Sequence, residues 1–185
     1  MGKIDYKKIK SYFYFSNILI FIFKILLFFI TRSFYFIISS LYNIFVAFAK
    51  KNIYLQKENY KKVGVYLIVA SLWFIFYSIW TILFHKISSY HMYVGIAIAA
   101  VTFTDIGIAI HGIIKAKNDE RSKVLKMVNL ATALISLELT QTAILSFSNP
   151  GVDNSFYNGM FGIGVGVLSL LIGILIIFKK KVNNK

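Results

Sequence analysis

Two carboxylates lie within long apolar segments of the sequence, where an acid is rare and therefore informative. Asp105 lies in the segment 91–114 and Glu138 in the segment 124–147. An acid in the middle of a membrane-spanning helix costs roughly 2.5–3.5 kcal/mol on insertion scales, so it usually faces a bundle interior or a wet cavity. We therefore predict that antiparallel neighbouring helices place both carboxylates inside a bundle near the middle of the membrane, where they could share a proton.

Polar side chains near the two acids extend this candidate site. Gln141 follows Glu138 on one side of its helix, and Thr104 and His111 lie in the same segment as Asp105. Carboxylate, amide, hydroxyl and imidazole groups could bind a cation, a proton or a polar ligand. They could also form hydrogen bonds between helices that only fix the packing, an alternative that we slightly favour. The candidate ligand-binding or ion-binding residues are Asp105, Glu138, Gln141, Thr104 and His111.

The residue types and motifs for several other kinds of chemistry are missing. There is no cysteine, which excludes a CxxC redox pair or a thiolate metal site. The three histidines lack HExxH spacing and do not indicate metal binding. No nucleophile elbow, phosphate-binding loop or dinucleotide fingerprint is present. We therefore predict no catalytic residue, no metal and no cofactor, and we favour a protein that is not an enzyme.

Four apolar segments must position these side chains. A bilayer core of about 30 Å takes about 20 helical residues, and each segment is long enough to cross it. The chain of 185 residues is 58% hydrophobic, and a soluble domain of this size could not bury so much apolar surface. We predict an all-α integral membrane protein with an antiparallel four-helix bundle over residues 63–178. The four segments are 63–84, 91–114, 124–147 and 156–178.

The segment 12–49 allows two interpretations. Polar residues recur along its apolar run, so it could form an amphipathic or partly re-entrant helix at the membrane surface. It could instead form a hairpin of two short spans that turns at Arg32, although the positive-inside rule disfavours an external arginine. We favour the first interpretation by a small margin, and the total is then four spans instead of six. The polar residues of the pattern are Lys3, Lys10, Asn17, Lys24, Thr31, Arg32, Ser39, Asn43 and Lys50.

The distribution of basic residues predicts an orientation. The net charge is +14, and lysines are concentrated in the region 1–62, the loop 115–123 and the tail 179–185. The loop 148–155 has no basic residue. By the positive-inside rule, we place the basic loops and both termini in the cytoplasm, as in a multi-pass protein of the plasma membrane. The predicted partners are the bilayer and the anionic headgroups at its cytoplasmic face, and not nucleic acid.

Small residues line one face of the last apolar segment. Gly162, Gly166, Ser169 and Gly173 recur at spacings of three and four residues, which lets another helix approach closely. We favour packing inside the bundle over a homodimer interface.

The sequence favours a non-enzymatic accessory, immunity-type or regulatory membrane protein that acts through helix–helix or lipid contacts, with a membrane-protein partner. The chain is small and consists mostly of apolar segments and short loops, which suits such a role. The alternative is a small transporter, or an ion-conducting or proton-conducting protein, that uses Asp105 and Glu138. The abundance of Lys, Ile, Asn, Phe and Tyr is typical of an AT-rich bacterial genome.

Overall fold

The chain is all-helical in the part that the computed structural model describes. This part comprises residues 21–22, 25–26, 29, 34–54, 59–84, 92–116 and 119–179. Its five helices are α1 (Phe34–Tyr54), α2 (Tyr60–Phe84), α3 (Met92–Lys115), α4 (Glu120–Ser148) and α5 (Ser155–Ile177).

Four of the described helices, α2 to α5, are long and apolar enough to cross a membrane. They correspond to the four apolar segments of the sequence, and the structure is therefore compatible with a multi-pass membrane protein. The main difference in bounds is at α4, which begins at Glu120 instead of residue 124. The cause is Asp119, whose carboxylate accepts hydrogen bonds from two backbone N–H groups of the first turn, both at 3.1 Å.

Helix α4 is the centre of the arrangement, because it contacts α1, α3 and α5. The most extensive contact joins α2 and α5, and α1 packs mainly on α2. Helix α3 packs chiefly on α4 and so lies at the edge of the bundle. Residues on α3 can consequently face either α4 or the outside of the bundle.

A cluster of hydroxyl groups joins α1, α2 and α5. The ring of Tyr42 contacts the ring of Phe74 edge to face, with centroids 6.4 Å apart. The Tyr42 hydroxyl lies 2.9 Å from the Ser169 Oγ, and the Ser71 Oγ lies 2.8 Å from the same oxygen. All four side chains are buried, so these hydrogen bonds fix α1 against the pair formed by α2 and α5.

The small residues of α5 pack against α2. Gly173 faces Gly64, since a Cβ built on Gly64 would lie 2.6 Å from the Gly173 carbonyl oxygen. Gly162 lies against Ser78 in the same interface. The residues of this α5 face are thus covered within the chain itself. Those predicted from the sequence are Gly162, Gly166, Ser169 and Gly173, and all four are buried.

The basic helix ends collect at one end of the bundle, which we call the basic end. Lys179 follows α5 and forms an ion pair with Glu120 at the start of α4, with 2.6 Å between Nζ and Oε2. The start of α2 and the end of α3 lie at this same end of the bundle, because adjacent helices run in opposite directions. Its location in the cytoplasm stays a prediction from the positive-inside rule. The basic residues described there are Lys61, Lys62, Lys115, Arg121, Lys123 and Lys179.

Helix α1 covers only the last part of the N-terminal segment. Within α1 the polar residues Ser39 and Asn43 are buried against the bundle, and Lys50 is half-buried. This part of the polar pattern therefore faces other helices instead of water. The predicted hairpin turn at Arg32 lies outside the described residues, and the choice between four and six spans stays open. The pattern residues outside the described residues are Lys3, Lys10, Asn17, Lys24, Thr31 and Arg32.

Candidate functional site

A polar cavity of about 410 Å³ lies between α1, α3 and α4, and we call it the α1–α3–α4 cavity. Helical periodicity explains its composition, because residues three, four and seven apart point to one side of a helix. Helix α1 contributes two polar residues at a spacing of seven, α3 contributes one acid, and α4 contributes three polar residues. These residues are Asn43, Lys50, Asp105, Asn129, Thr132 and Ser136.

Lys50 and Asp105 bring opposite charges to this cavity. The Asp105 carboxylate is close enough to interact electrostatically with the Lys50 ammonium. Lys50 is half-buried and Asp105 is exposed, and a charged group within a membrane-crossing helix is costly unless it faces a bundle interior or a wet cavity. The presence of both charges beside one cavity therefore makes this cavity the strongest candidate site. Asp105 could be recognised from the sequence but Lys50 could not, because nothing in the sequence indicates that α1 packs beside α3 and α4.

Asn43 adds a buried hydrogen-bond donor to the cavity. Its side chain is 4% exposed, and the Nδ2 atom has no hydrogen-bond partner among the described residues. An unsatisfied buried polar group costs about 1–3 kcal/mol. A bound solute with an acceptor atom would remove this cost.

The two α4 hydroxyl groups that line the cavity can accept hydrogen bonds from a solute. Thr132 Oγ1 donates to the Val128 carbonyl at 3.0 Å, and Ser136 Oγ donates to the Thr132 carbonyl at 3.3 Å. Each hydroxyl proton is used within α4, but the oxygen lone pairs can still accept. The cavity therefore offers both donors and acceptors, with one side chain of each charge.

Glu138 lies elsewhere in the bundle. Its side chain is 4% exposed, Thr142 Oγ1 donates to its Oε1 at 3.1 Å, and its Oε2 has no partner among the described residues. A Cβ built on Gly162 would lie 3.4 Å from the Glu138 Cγ, which places this acid at the contact between α4 and α5. Asp105 and Glu138 therefore belong to different surroundings, and the structure does not bring the two acids into one site.

The remaining sequence candidates are also dispersed. Gln141 Nε2 donates to the Tyr157 carbonyl at 3.4 Å and so links α4 to α5. Thr104 is exposed, and its hydroxyl donates to a carbonyl of its own helix at 2.7 Å. His111 faces a second cavity, described below. Of the five candidates, Asp105 is the one that lines the α1–α3–α4 cavity.

The second cavity is an open groove of about 610 Å³ between the end of α3 and the start of α4, here called the α3–α4 groove. His111 and Lys115 of α3 and Lys126 of α4 line it. Ile108 lines both the groove and the α1–α3–α4 cavity, so the two lie side by side. The described residues contain no cluster of three His, Cys, Asp or Glu side chains that could hold a metal ion.

Comparisons with family models, with curated proteins and with solved structures give no match.

Proposed function

We propose that this protein is a multi-pass protein of the plasma membrane that binds a small polar solute in the α1–α3–α4 cavity, as a small transporter would. The observation that carries the proposal is that one cavity combines the oppositely charged Lys50 and Asp105 side chains with the Asn43 Nδ2 donor, which has no acceptor among the described residues. Four helices that are long and apolar enough to cross a membrane support the membrane location.

A purely structural role explains this cavity poorly. Charged side chains within a membrane-crossing bundle are costly, so packing alone does not require Lys50 and Asp105. Packing also gains nothing from a buried Asn43 donor that has no acceptor in the described part of the chain. Binding accounts for both features, because a polar solute could interact with the two charged side chains and accept a hydrogen bond from the Asn43 amide.

The charges favour a solute with no net charge. A single cation would be attracted by Asp105 but repelled by Lys50, and the reverse holds for a single anion. A zwitterion or a neutral polar molecule can satisfy both side chains and also accept from Asn43. Ion conduction through this cavity is accordingly less well supported than the binding of such a solute.

The experiment is thermal unfolding of the purified protein in detergent with a panel of zwitterionic and neutral polar solutes. A solute at 100 times its Kd is expected to stabilise the wild-type protein by about 2.7 kcal/mol. Asp105→Asn should lose this stabilisation, whereas Glu138→Gln, which changes an acid outside the cavity, should keep it. The proposal fails if no solute stabilises the wild type, or if Asp105→Asn responds as the wild type does.

A non-enzymatic accessory, immunity-type or regulatory role is the second candidate, and the exposure of α3 favours it. Because α3 packs chiefly on α4, much of its apolar surface is free to contact lipid or a helix of a partner protein. This function becomes the better supported one if no solute in the panel raises the thermal unfolding midpoint of the wild-type protein. The exposed apolar side chains of α3 include Ile96, Phe103, Ile110 and Ile114.

A further inference from the structure

We propose that the α3–α4 groove binds the phosphate headgroup of an anionic membrane lipid. The groove lies at the basic end of the bundle, where the apolar part of α3 ends at Lys115. A lipid headgroup lies at this depth when the helix crosses a bilayer. The proposal is independent of solute binding in the neighbouring cavity.

The residues that line the groove carry an excess of positive charge. Lys115 and Lys126 are the two basic side chains of the lining, Asp119 is its one acid, and His111 adds an imidazole. The Asp119 carboxylate is engaged by two backbone N–H groups at the start of α4, both at 3.1 Å. One phosphate charge would balance the two lysines and this acid, since lysine binds phosphate as a point charge.

Gly112 allows Lys126 to lie along the groove. A Cβ built on Gly112 would lie 2.7 Å from both Cδ and Cε of Lys126, so the lysine stem crosses the glycine directly. The stem is thereby held against α3, from where the ammonium group can reach a phosphate in the groove. A side chain at Gly112 would displace Lys126 without changing the net charge of the protein.

The other end of the groove is apolar. Gly107 and Ile108 line it, and a Cβ built on Gly107 would meet no atom within 4 Å. A phospholipid has the same polarity along its length, with a charged headgroup above an apolar chain. Free phosphate would use only the lysine end, so the combination of the two ends favours a lipid.

The test measures the thermal unfolding midpoint of the purified protein in a neutral detergent during titration with phosphatidylglycerol, phosphatidylcholine or inorganic phosphate. Phosphatidylglycerol is expected to raise the midpoint in a saturable manner, and the other two additives are not. Equal shifts with the two phospholipids would overturn the headgroup assignment. A shift with inorganic phosphate equal to that with phosphatidylglycerol would indicate a phosphate-ion site and overturn the lipid assignment.

Two variants and two matched controls locate the site. Lys126→Gln should lower the apparent affinity for phosphatidylglycerol about fivefold, the effect of one lysine near an anionic headgroup. Lys62→Gln removes the same charge from an exposed position at the basic end and should have less effect. Gly112→Ala should also weaken binding, whereas Gly164→Ala should not, since a Cβ built on Gly164 meets no atom within 4 Å.

The variants also distinguish a defined site from diffuse attraction. Equal losses for Lys126→Gln and Lys62→Gln would overturn the groove, as would unchanged binding by a folded Gly112→Ala protein. If Gly112→Ala does not fold, the two lysine variants decide the matter by themselves. Asp105→Asn should bind the lipid as the wild type does, which separates this result from the test of the solute cavity.

Discussion

The amide of Asn43 differs from the other polar groups of the α1–α3–α4 cavity because its buried Nδ2 atom lacks an acceptor among the described residues. A residue that lowers the stability of the folded protein is expected where function requires an unsatisfied group. Asn43 therefore offers a direct way to separate stability from solute binding.

We predict that Asn43→Leu makes the protein more stable and weakens solute binding. The substitution removes the unsatisfied donor and adds apolar contact, so the unfolding free energy should rise by about 1 kcal/mol. The measurement is thermal unfolding of both proteins in detergent, with and without a solute that stabilises the wild type. The solute-induced shift should become smaller in the variant although its midpoint without solute is higher.

Asn158→Leu is the matched control for this prediction. Asn158 is also buried, at 5% exposure, and its Oδ1 has no partner among the described residues, but it lies outside the cavity. Its replacement should change stability and leave the solute-induced shift intact. A less stable Asn43→Leu protein with a full solute response would mean that the amide serves packing.

Asp105 and Glu138 illustrate how far single residues could be interpreted from the sequence. Both acids were identifiable, because a carboxylate in an apolar run is costly and must have a particular environment. The surroundings of the two acids were not predictable, because Lys50 comes near Asp105 only when α1 packs against the bundle. From the sequence the two acids could share a proton, whereas in the structure Asp105 lines the cavity and Glu138 lies at the contact between α4 and α5.

At the scale of whole helices, the close packing of α2 against α5 depends on a pair of glycines. We predict that Gly64→Ala destabilises the protein, since its Cβ would lie 2.6 Å from the Gly173 carbonyl oxygen and 2.5 Å from the Ile177 Cγ1. A backbone oxygen cannot move aside as a flexible side chain can, so the two helices must separate. Overpacking of this kind costs about 1–3 kcal/mol, measurable as a lower thermal midpoint.

Gly164→Ala is the control for the glycine pair, because it makes the same change in α5 at a position with no atom within 4 Å. Alanine is the better helix former by about 0.8–1.0 kcal/mol, so this variant should be as stable as the wild type or more stable. Similar midpoints for Gly64→Ala and Gly164→Ala would show that the α2–α5 interface tolerates extra volume.

The helices themselves were predictable to different degrees. Continuous apolar runs of sufficient length identified α2 to α5, and the largest difference in bounds is at the start of α4, because Asp119 caps an extra turn. The packing of helix α1 was harder to predict, because its polar pattern suggested contact with water. In the structure Ser39 and Asn43 are buried among other helices, a tertiary effect that periodicity alone does not reveal.

For the molecule as a whole, the alternation of basic and non-basic loops predicted which helix ends would lie together. The ion pair between Lys179 and Glu120 joins two of the helix ends that form the basic end. A clustering of positive charge at one end gives the bundle a preferred orientation in a membrane with anionic cytoplasmic lipids. The orientation can be measured directly, because the chain contains no cysteine.

We predict that Val152→Cys, in the loop between α4 and α5, reacts with a membrane-impermeant maleimide in intact cells. Lys62→Cys, at the basic end, should react only after the membrane is opened. Val152 is 55% exposed, and Lys62 is exposed as well, so accessibility of the thiol should depend on the membrane alone. The cysteine-free wild type measures background labelling. Reversed labelling would place the basic end outside the cell, and equal labelling of both variants in intact cells would contradict a bundle that crosses the membrane. The expected pattern would also place the α3–α4 groove on the cytoplasmic side, where anionic lipids can reach it.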